Sequence, residues 1–248
     1  MKRVTTIVAS IALLFVAASQ ADAQKATEVV TGVVTTAAPF SYVDKGVYTG
    51  VSNDILAEIS KTENIKLEYM PMKFDALIPA VQAGQIDMAV SGIFVTEARS
   101  KILDFSSPYF TQGSILVAPI GSPLKSSDDL KGKIVAVQQG AAALAKAKVY
   151  EEKWDCKIRV LQDPSSMQMA MKAGDIDAML FDSAIMMHQI QVEGDKPTIK
   201  TISDVIDPTD IAFAFPKGSP VKAKIDSGIA KMKANGELDV ILQKYHLK

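Results

Sequence analysis

The stretch Ala83-Gly84-Gln85-Ile86-Asp87-Met88-Ala89-Val90-Ser91-Gly92 returns in altered form as Ala173-Gly174-Asp175-Ile176-Asp177-Ala178-Met179-Leu180-Phe181-Asp182. Each copy reads as a helix end, a glycine that tolerates a left-handed cap, an Ile-Asp pair, and an apolar strand ending in polar residues. Their separation of about 90 residues is too long for a solenoid repeat. It fits two lobes built on one α/β plan. In open α/β sheets ligands bind beyond the carboxyl ends of the strands. Ser91 and Gly92 on one lobe and Asp182 on the other are therefore candidate walls of a shared cleft.

The flanking sequence extends this plan. On the first side a strand is expected over 29–34 and a helix over 54–59, where Ile55, Leu56 and Ile59 share a face. A half-buried strand through Ile65, Leu67 and Tyr69 follows, then a helix over 74–83 closed by Gly84 and a strand over 86–91. On the second side strands are expected over 134–138, 157–161 and 178–181. They alternate with an Ala-rich helix over 141–150 and helices over 165–173 and 183–192. A strand over 211–215 precedes a helix opened by Ser219-Pro220, with Val221, Ile225, Ile229 and Met232 along one face. The methionines at 167, 169, 171, 179, 186 and 187 fall at helix or strand spacing and read as core.

The chain has 248 residues, 27 basic and 28 acidic, for a formal net charge of −1. A near-neutral balance without a basic cluster argues against nucleic acid or an anionic membrane surface as the main partner. Lys2 and Arg3 precede an apolar run from Val4 to Ala18, and Ala21-Asp22-Ala23 has the small-x-small form of a cleavage site. Residues 1–23 are thus expected to be a signal peptide, with Gln24 at the mature N-terminus. The run is short against the roughly 20 residues of a membrane span, so a retained anchor is the weaker alternative. Cys156 is the only cysteine, which rules out an internal disulfide and leaves none near the cleavage site to carry a lipid. A freely diffusing monomer in the periplasm is expected.

Catalytic signatures are absent. The chain has two histidines, His188 and His246, without a His-Glu-x-x-His pair, a Gly-x-Ser-x-Gly elbow, a phosphate loop or a cysteine cluster. No metal and no cofactor is expected.

A set of motifs in fixed order then resembles the polar-amino-acid-binding proteins of bacterial ABC importers, the extracellular solute-binding proteins of family 3. It runs through Phe74-Asp75-Ala76-Leu77-Ile78-Pro79-Ala80, Ile86-Asp87, Ser91-Gly92, Thr96-Glu97-Ala98-Arg99 and Asp104-Phe105-Ser106-Ser107-Pro108-Tyr109. Asp129-Leu130-Lys131-Gly132-Lys133, Val135-Ala136-Val137-Gln138-Gln139-Gly140, Ile176-Asp177-Ala178 with Asp182, and Phe213-Ala214-Phe215-Pro216-Lys217-Gly218 complete it. The resemblance implies two Rossmann-like α/β lobes of the type II periplasmic binding protein kind, joined by a two-strand hinge near 110–116 and 205–211. Lobe 1 would span 24–112 with 211–248, and lobe 2 would span 113–210. The implied function is capture of an amino acid or related small zwitterion for import, with the membrane permease of an ABC importer as partner.

The resemblance also assigns roles. Arg99 matches the arginine that pairs with a ligand carboxylate, a task suited to a guanidinium's two parallel donors; the alternative is an arginine salt-bridged on a helix surface. Asp182 matches the aspartate that holds a ligand ammonium, which would offset the cost of burying a carboxylate; the alternative is an N-cap for the next helix. Phe74 matches an aromatic that packs on the ligand, or else is core. Ser91, Gly92 and Gly140 would complete the site, with the N-terminus of the helix after Gly140 aimed at a carboxylate.

Departures from the family pattern fall at the same place. Phe94 and Ala141 stand where hydroxyl residues are usual, Gln138 where a basic or polar residue is common, and Phe181 where several relatives are polar. Val34 and Ala37 replace an acidic and an aromatic residue. A less polar pocket is implied, suited to a ligand with an apolar or aromatic part, unless Phe94 turns into the lobe core. Two other classes share the fold: an enzyme resembling cyclohexadienyl dehydratase, with Glu97 as acid or base, and a sensor that presents its ligand to a receptor.

Overall fold

The computed structural model describes residues 26–248; the expected signal peptide lies outside the described residues. The chain opens with β1 (Thr27–Val33), the short strands β2 (Thr36–Ala37), β3 (Ser41–Asp44) and β4 (Val47–Thr49), and helix α1 (Val51–Thr62). β5 (Ile65–Pro71), α2 (Phe74–Gln82), β6 (Met88–Ala89), α3 (Glu97–Ile102) and β7 (Leu103–Phe105) follow. The second set comprises β8 (Phe110–Pro119), β9 (Ile134–Gln138), α4 (Ala147–Trp154), β10 (Lys157–Leu161) and α5 (Pro164–Ala173). It continues with β11 (Ala178–Asp182), α6 (Ser183–Glu193), β12 (Ile199–Thr201) and β13 (Ile206–Ile211). β14 (Ala214–Pro216), α7 (Val221–Asn235) and α8 (Glu237–Lys244) close the chain.

These elements form two α/β lobes around two large sheets, and a third, three-stranded sheet has the order β2-β3-β4. Of the two large sheets, one has the order β5-β1-β6-β14-β7, the other β10-β9-β11-β8-β12 with β13 also on β8. In each, the strands from the repeated unit run parallel (β5, β1 and β6; β10, β9 and β11), and a strand arriving from the crossing runs antiparallel. The repeated Ile-Asp pair has a shared structural job. Asp87 accepts a hydrogen bond from the Val30 N–H at 2.8 Å through its carboxylate, and its own N–H returns to the Val30 carbonyl. Asp177 does the same with Ile134, also at 2.8 Å. The motif thus pins the start of a parallel strand to its neighbour in both lobes.

β8 and β13 pair antiparallel, from Phe110 opposite Ile211 onward, and carry the chain out of the first sheet and back to it. The C-terminal helices return to the first lobe. Ile225, Ile229 and Met232 of α7 are buried with Ile55 and Ile59 of α1 and with Phe213 and Phe215. The Tyr245 hydroxyl donates to Asp54 at 2.8 Å and accepts from the Gly50 N–H. In the second lobe Met167, Met171, Met179 and Met186 are core, whereas Met169 and Met187 face solvent.

Local departures have local causes. The strand expected over 86–91 pairs only at Met88 and Ala89, because Ser91 (φ 116°) and Gly92 (φ 68°) turn the chain off the sheet. The segment expected as a helix over 141–150 is a 3₁₀ turn, Ala142–Lys146, followed by α4. Ala141 has no side chain with which to cap a helix there. The strand expected over 211–215 is split between β13 and β14, since the chain changes sheets at Ala212 and Phe213. α5 shows the opposite case: Asp163 and Ser166 form a reciprocal capping box, Pro164 opens the helix and Gly174 closes it in the left-handed conformation.

Candidate functional site

A cavity of about 410 Å³ lies where the two lobes face each other. Asp182, Phe74, Ser91, Gln138 and Phe181, all anticipated from the sequence, line it, as do Val34 and Ala37. Most of the opposite wall is one face of α6: Ile185, Met186, Gln189, Val192 and Glu193, with His188 at the edge. Sequence reasoning gave this helix over 183–192 but placed none of its residues beyond Asp182 in the site. The spacing from 182 through 185, 186, 189 and 193 is the i, i+3, i+4, i+7 stripe of one helix face, and it was available.

Asp182 stands at the N-cap position of α6, but its side chain makes no capping hydrogen bond. Gln112 does that work instead, its Oε1 accepting from the Ala184 N–H at 3.0 Å. The carboxylate is left facing the cavity with no hydrogen bond from the described residues. Burial pushes its pKa up to about 7, and the positive charge of Arg99 pulls against that rise. Farther along α6, the Gln168 amide donates to Gln189, Gln189 donates to Glu193, and Glu193 accepts from the N–H and hydroxyl of Thr198. The His188 Nδ1 is buried without a partner. Burial lowers the His188 pKa, and the charge of His246 lowers it further.

Arg99 is 8 % exposed, so it is not an arginine on a helix surface. Its backbone N–H donates to the Thr96 hydroxyl at 3.2 Å, which fixes the start of α3. Its guanidinium reaches across the lobes: Nη1 donates to the Phe94 carbonyl and Nη2 to the Gly140 carbonyl, each at 2.9 Å. Its Cζ lies 6.0 Å from the Phe74 ring centroid, within the range of a cation–π contact. Arg99 itself is not on the cavity wall.

The remaining expected residues are also off that wall. Phe94 is buried among Tyr109, Ile211 and Phe213 in the first-lobe core and borders a smaller pocket of about 250 Å³ together with Ala142. Of the two rings expected near the cleft, Phe181 lines it and Phe94 has turned inward. The Ala141 N–H donates to the Gln138 carbonyl at 3.2 Å. Gly140 is packed against the first lobe, where an added Cβ would come within 2.9 Å of the Asp75 Cα. With a 3₁₀ turn at Ala142–Lys146, the helix start expected to face a ligand is displaced to Ala147. Among the described residues, no group of three or more His, Cys, Asp and Glu side chains is placed to hold a metal ion.

The sequence profile of the bacterial extracellular solute-binding proteins, family 3, matches residues 29–248, nearly all of the described chain. The chain belongs to that family. This solute-binding protein is 27% identical over 207 residues to the arginine-binding extracellular protein of Bacillus subtilis, covering 84% of this chain and 81% of that one. Among solved structures it is similar to an ancestral arginine-binding protein bound to arginine, with a TM-score of 0.80 and 32% identity over 88% of this chain and 97% of that one. It also resembles an ancestral amino acid-binding protein described as a precursor of cyclohexadienyl dehydratase, with a TM-score of 0.76 and 28% identity, covering 88% and 94%.

Proposed function

We propose that this solute-binding protein captures a small amino compound of the amino-acid class in the interlobe cavity, closes over it, and delivers it to the permease of an ABC importer. The observation that carries the reading is the Asp182 carboxylate, which faces the cavity without a hydrogen-bond donor. A partly buried carboxylate in that position is stabilised by a cationic partner, and an ammonium group supplies one. The flanking rings of Phe74 and Phe181, with Ile185 and Met186, favour a ligand whose remainder is at least partly apolar. Relatives named for arginine and other amino acids support the same solute class. We place the protein in the periplasm, exported by residues 1–23. We divide it into a first lobe of 24–112 with 211–248 and a second of 113–210, a division supported by the β8–β13 crossing.

The test is a thermal-shift screen of amino acids and amines on protein unfolded and refolded to strip carried-over solute. A ligand at 100 times its dissociation constant adds about 2.7 kcal/mol, a shift of roughly 5–10 °C for a chain of this size. The expected result is a stabilising amino compound whose effect is lost in Asp182→Asn. Conversion of prephenate by the purified protein would instead establish the enzymatic alternative.

A further inference from the structure

The first-lobe side of the cavity offers a ligand side chain little polarity beyond the Thr36 hydroxyl. Val34, Ala37, Ala38 and Phe74 are apolar, and the Ser91 Oγ already accepts from the Val34 N–H at 2.9 Å. The second lobe is different. Gln138 at the end of β9, Gln168 on α5, and Gln189 and Glu193 on α6 bring three amides and a carboxylate to the wall. Gln189 follows Asp182 by two helical turns, about 10 Å along the same helix.

These groups are ordered by a donor that cannot turn round. The Thr198 backbone N–H can only donate, and Glu193 accepts it. Glu193 also accepts from the Gln189 Nε2 at 2.9 Å, which turns the Gln189 Oε1 to Gln168. The Gln168 Nε2 donates to that oxygen at 3.1 Å. The relay therefore ends on the Gln168 Oε1, which receives no hydrogen bond from the described residues. Gln138 is turned the same way. Its Nε2 points to the Gln162 carbonyl at 3.5 Å, and its Oε1 has no donor among the described residues. Hydrogen bonds in a chain polarise one another, so a relay that runs to a carboxylate makes its terminal oxygen a stronger acceptor.

The relay is also a partition. Gln168, Gln189 and Glu193 line a second pocket of about 240 Å³ as well, with Met171 and Ile199 on its other walls. The far end of the ligand cavity is thus a wall of ordered side chains that presents acceptors.

We propose that the Gln168–Gln189–Glu193 relay is the specificity device of this protein. It selects an amino acid whose long, largely apolar side chain runs along α6 past Ile185 and ends in an N–H donor, received by the Oε1 atoms of Gln168 and Gln138. Gln189 and Glu193 are positioning residues that hold Gln168 in this orientation. A side chain ending in a carboxylate is disfavoured, because it would meet carbonyl oxygens and the charge of Glu193. The inference rests on the reading above, that an amino compound is captured with its ammonium at Asp182, and adds what selects its other end.

Paired ligands test it: lysine and arginine against norleucine, glutamine against glutamate, tryptophan against 1-methyltryptophan. Each is titrated calorimetrically into solute-stripped full-length protein. In at least one pair the ligand with the N–H donor is expected to bind about ten-fold or more tightly. Gln168→Met, similar in size but without the carbonyl, is expected to bring that pair to within about three-fold by weakening the donor-ended member alone. A residue that merely supports the fold would weaken both members alike. Equal affinity within every pair, preference for the members without the donor, or a Gln168→Met loss shared by both members would overturn the inference. In each of those cases binding that is lost in Asp182→Asn leaves the capture reading standing. Absence of binding by every compound would overturn both.

Discussion

Asp182 links the chemistry of a single side chain to pH. Its carboxyl is raised to about 7 in the folded protein by burial, with Arg99 opposing, against about 3.9 in an unfolded chain. Between those values the folded state binds more protons than the unfolded state. The unliganded protein therefore loses stability as pH rises through this window and stays at the lower level above it. Binding of an ammonium group has the opposite sign, because it requires the ionised carboxylate. The other titratable groups on the wall are shifted the other way. Glu193 is lowered on balance, the Thr198 and Gln189 hydrogen bonds outweighing the rise from burial, and His188 is lowered by burial and by His246. Going from pH 8 to pH 6 changes the ionised fraction at a pKa near 7 by about ten-fold. Ligand affinity, measured by calorimetry, is expected to fall by about that factor, and Asp182→Asn to lose both the affinity and its pH dependence. A flat profile in the unmodified protein would mean that the ligand does not touch Asp182.

Packing between elements makes its own prediction, at the crossing of α7 on α1. A Cβ on Gly228 would lie 2.6 Å from Cγ1 and 2.8 Å from Cγ2 of Ile59, a fully buried, β-branched side chain that cannot swing aside. Replacing a mid-helix glycine by alanine ordinarily gains about 0.5–1 kcal/mol. Overpacking a filled core costs about 1–3 kcal/mol, so the clash wins and Gly228→Ala should lower the melting temperature by a few degrees. Gly121→Ala, with nothing within 4 Å and an ordinary backbone, is the control expected to change nothing. Sequence patterning reads this scale well where several signals coincide. For α5, apolar spacing, Asp163, Pro164 and Gly174 all agree, and the helix runs as expected. It fails where one signal stands alone: alanines from 141 to 143 favour a helix but do not set its start. The site divides in the same way. Asp182 and Ser91 were legible as cavity-lining residues because strand ends place them there, and Phe74 only through the family resemblance. The inward turn of Phe94 and the carbonyl partners of Arg99 were not, since both depend on how the lobes meet.

The lobes meet at several points, and one of them has no slack. Besides the Arg99 bridge, Lys73 Nζ donates to Gln162 at 3.2 Å, an exposed pair that contributes little by itself. Gly140 is different, because the second lobe there rests directly on the Asp75 backbone at the start of α2. A methyl group at 140 would sit 2.9 Å from the Asp75 Cα and 3.0 Å from its Cβ, atoms fixed by a helix turn. The variant cannot relieve this by rotating a side chain, and the cheapest response is to hold the lobes apart. The positive φ of 77° at Gly140 adds a backbone cost, on the order of 1 kcal/mol for alanine. That cost is local to the turn after β9. Gly140→Ala should therefore remain folded but scatter X-rays as a more open particle, above the radius of gyration of about 18 Å expected for a compact chain of this length. Because affinity scales with the fraction of molecules able to close, the variant should also bind more weakly, with the loss falling equally on every ligand. Scattering curves that superimpose on those of the unmodified protein, with and without ligand, would show that Gly140 does not gate closure.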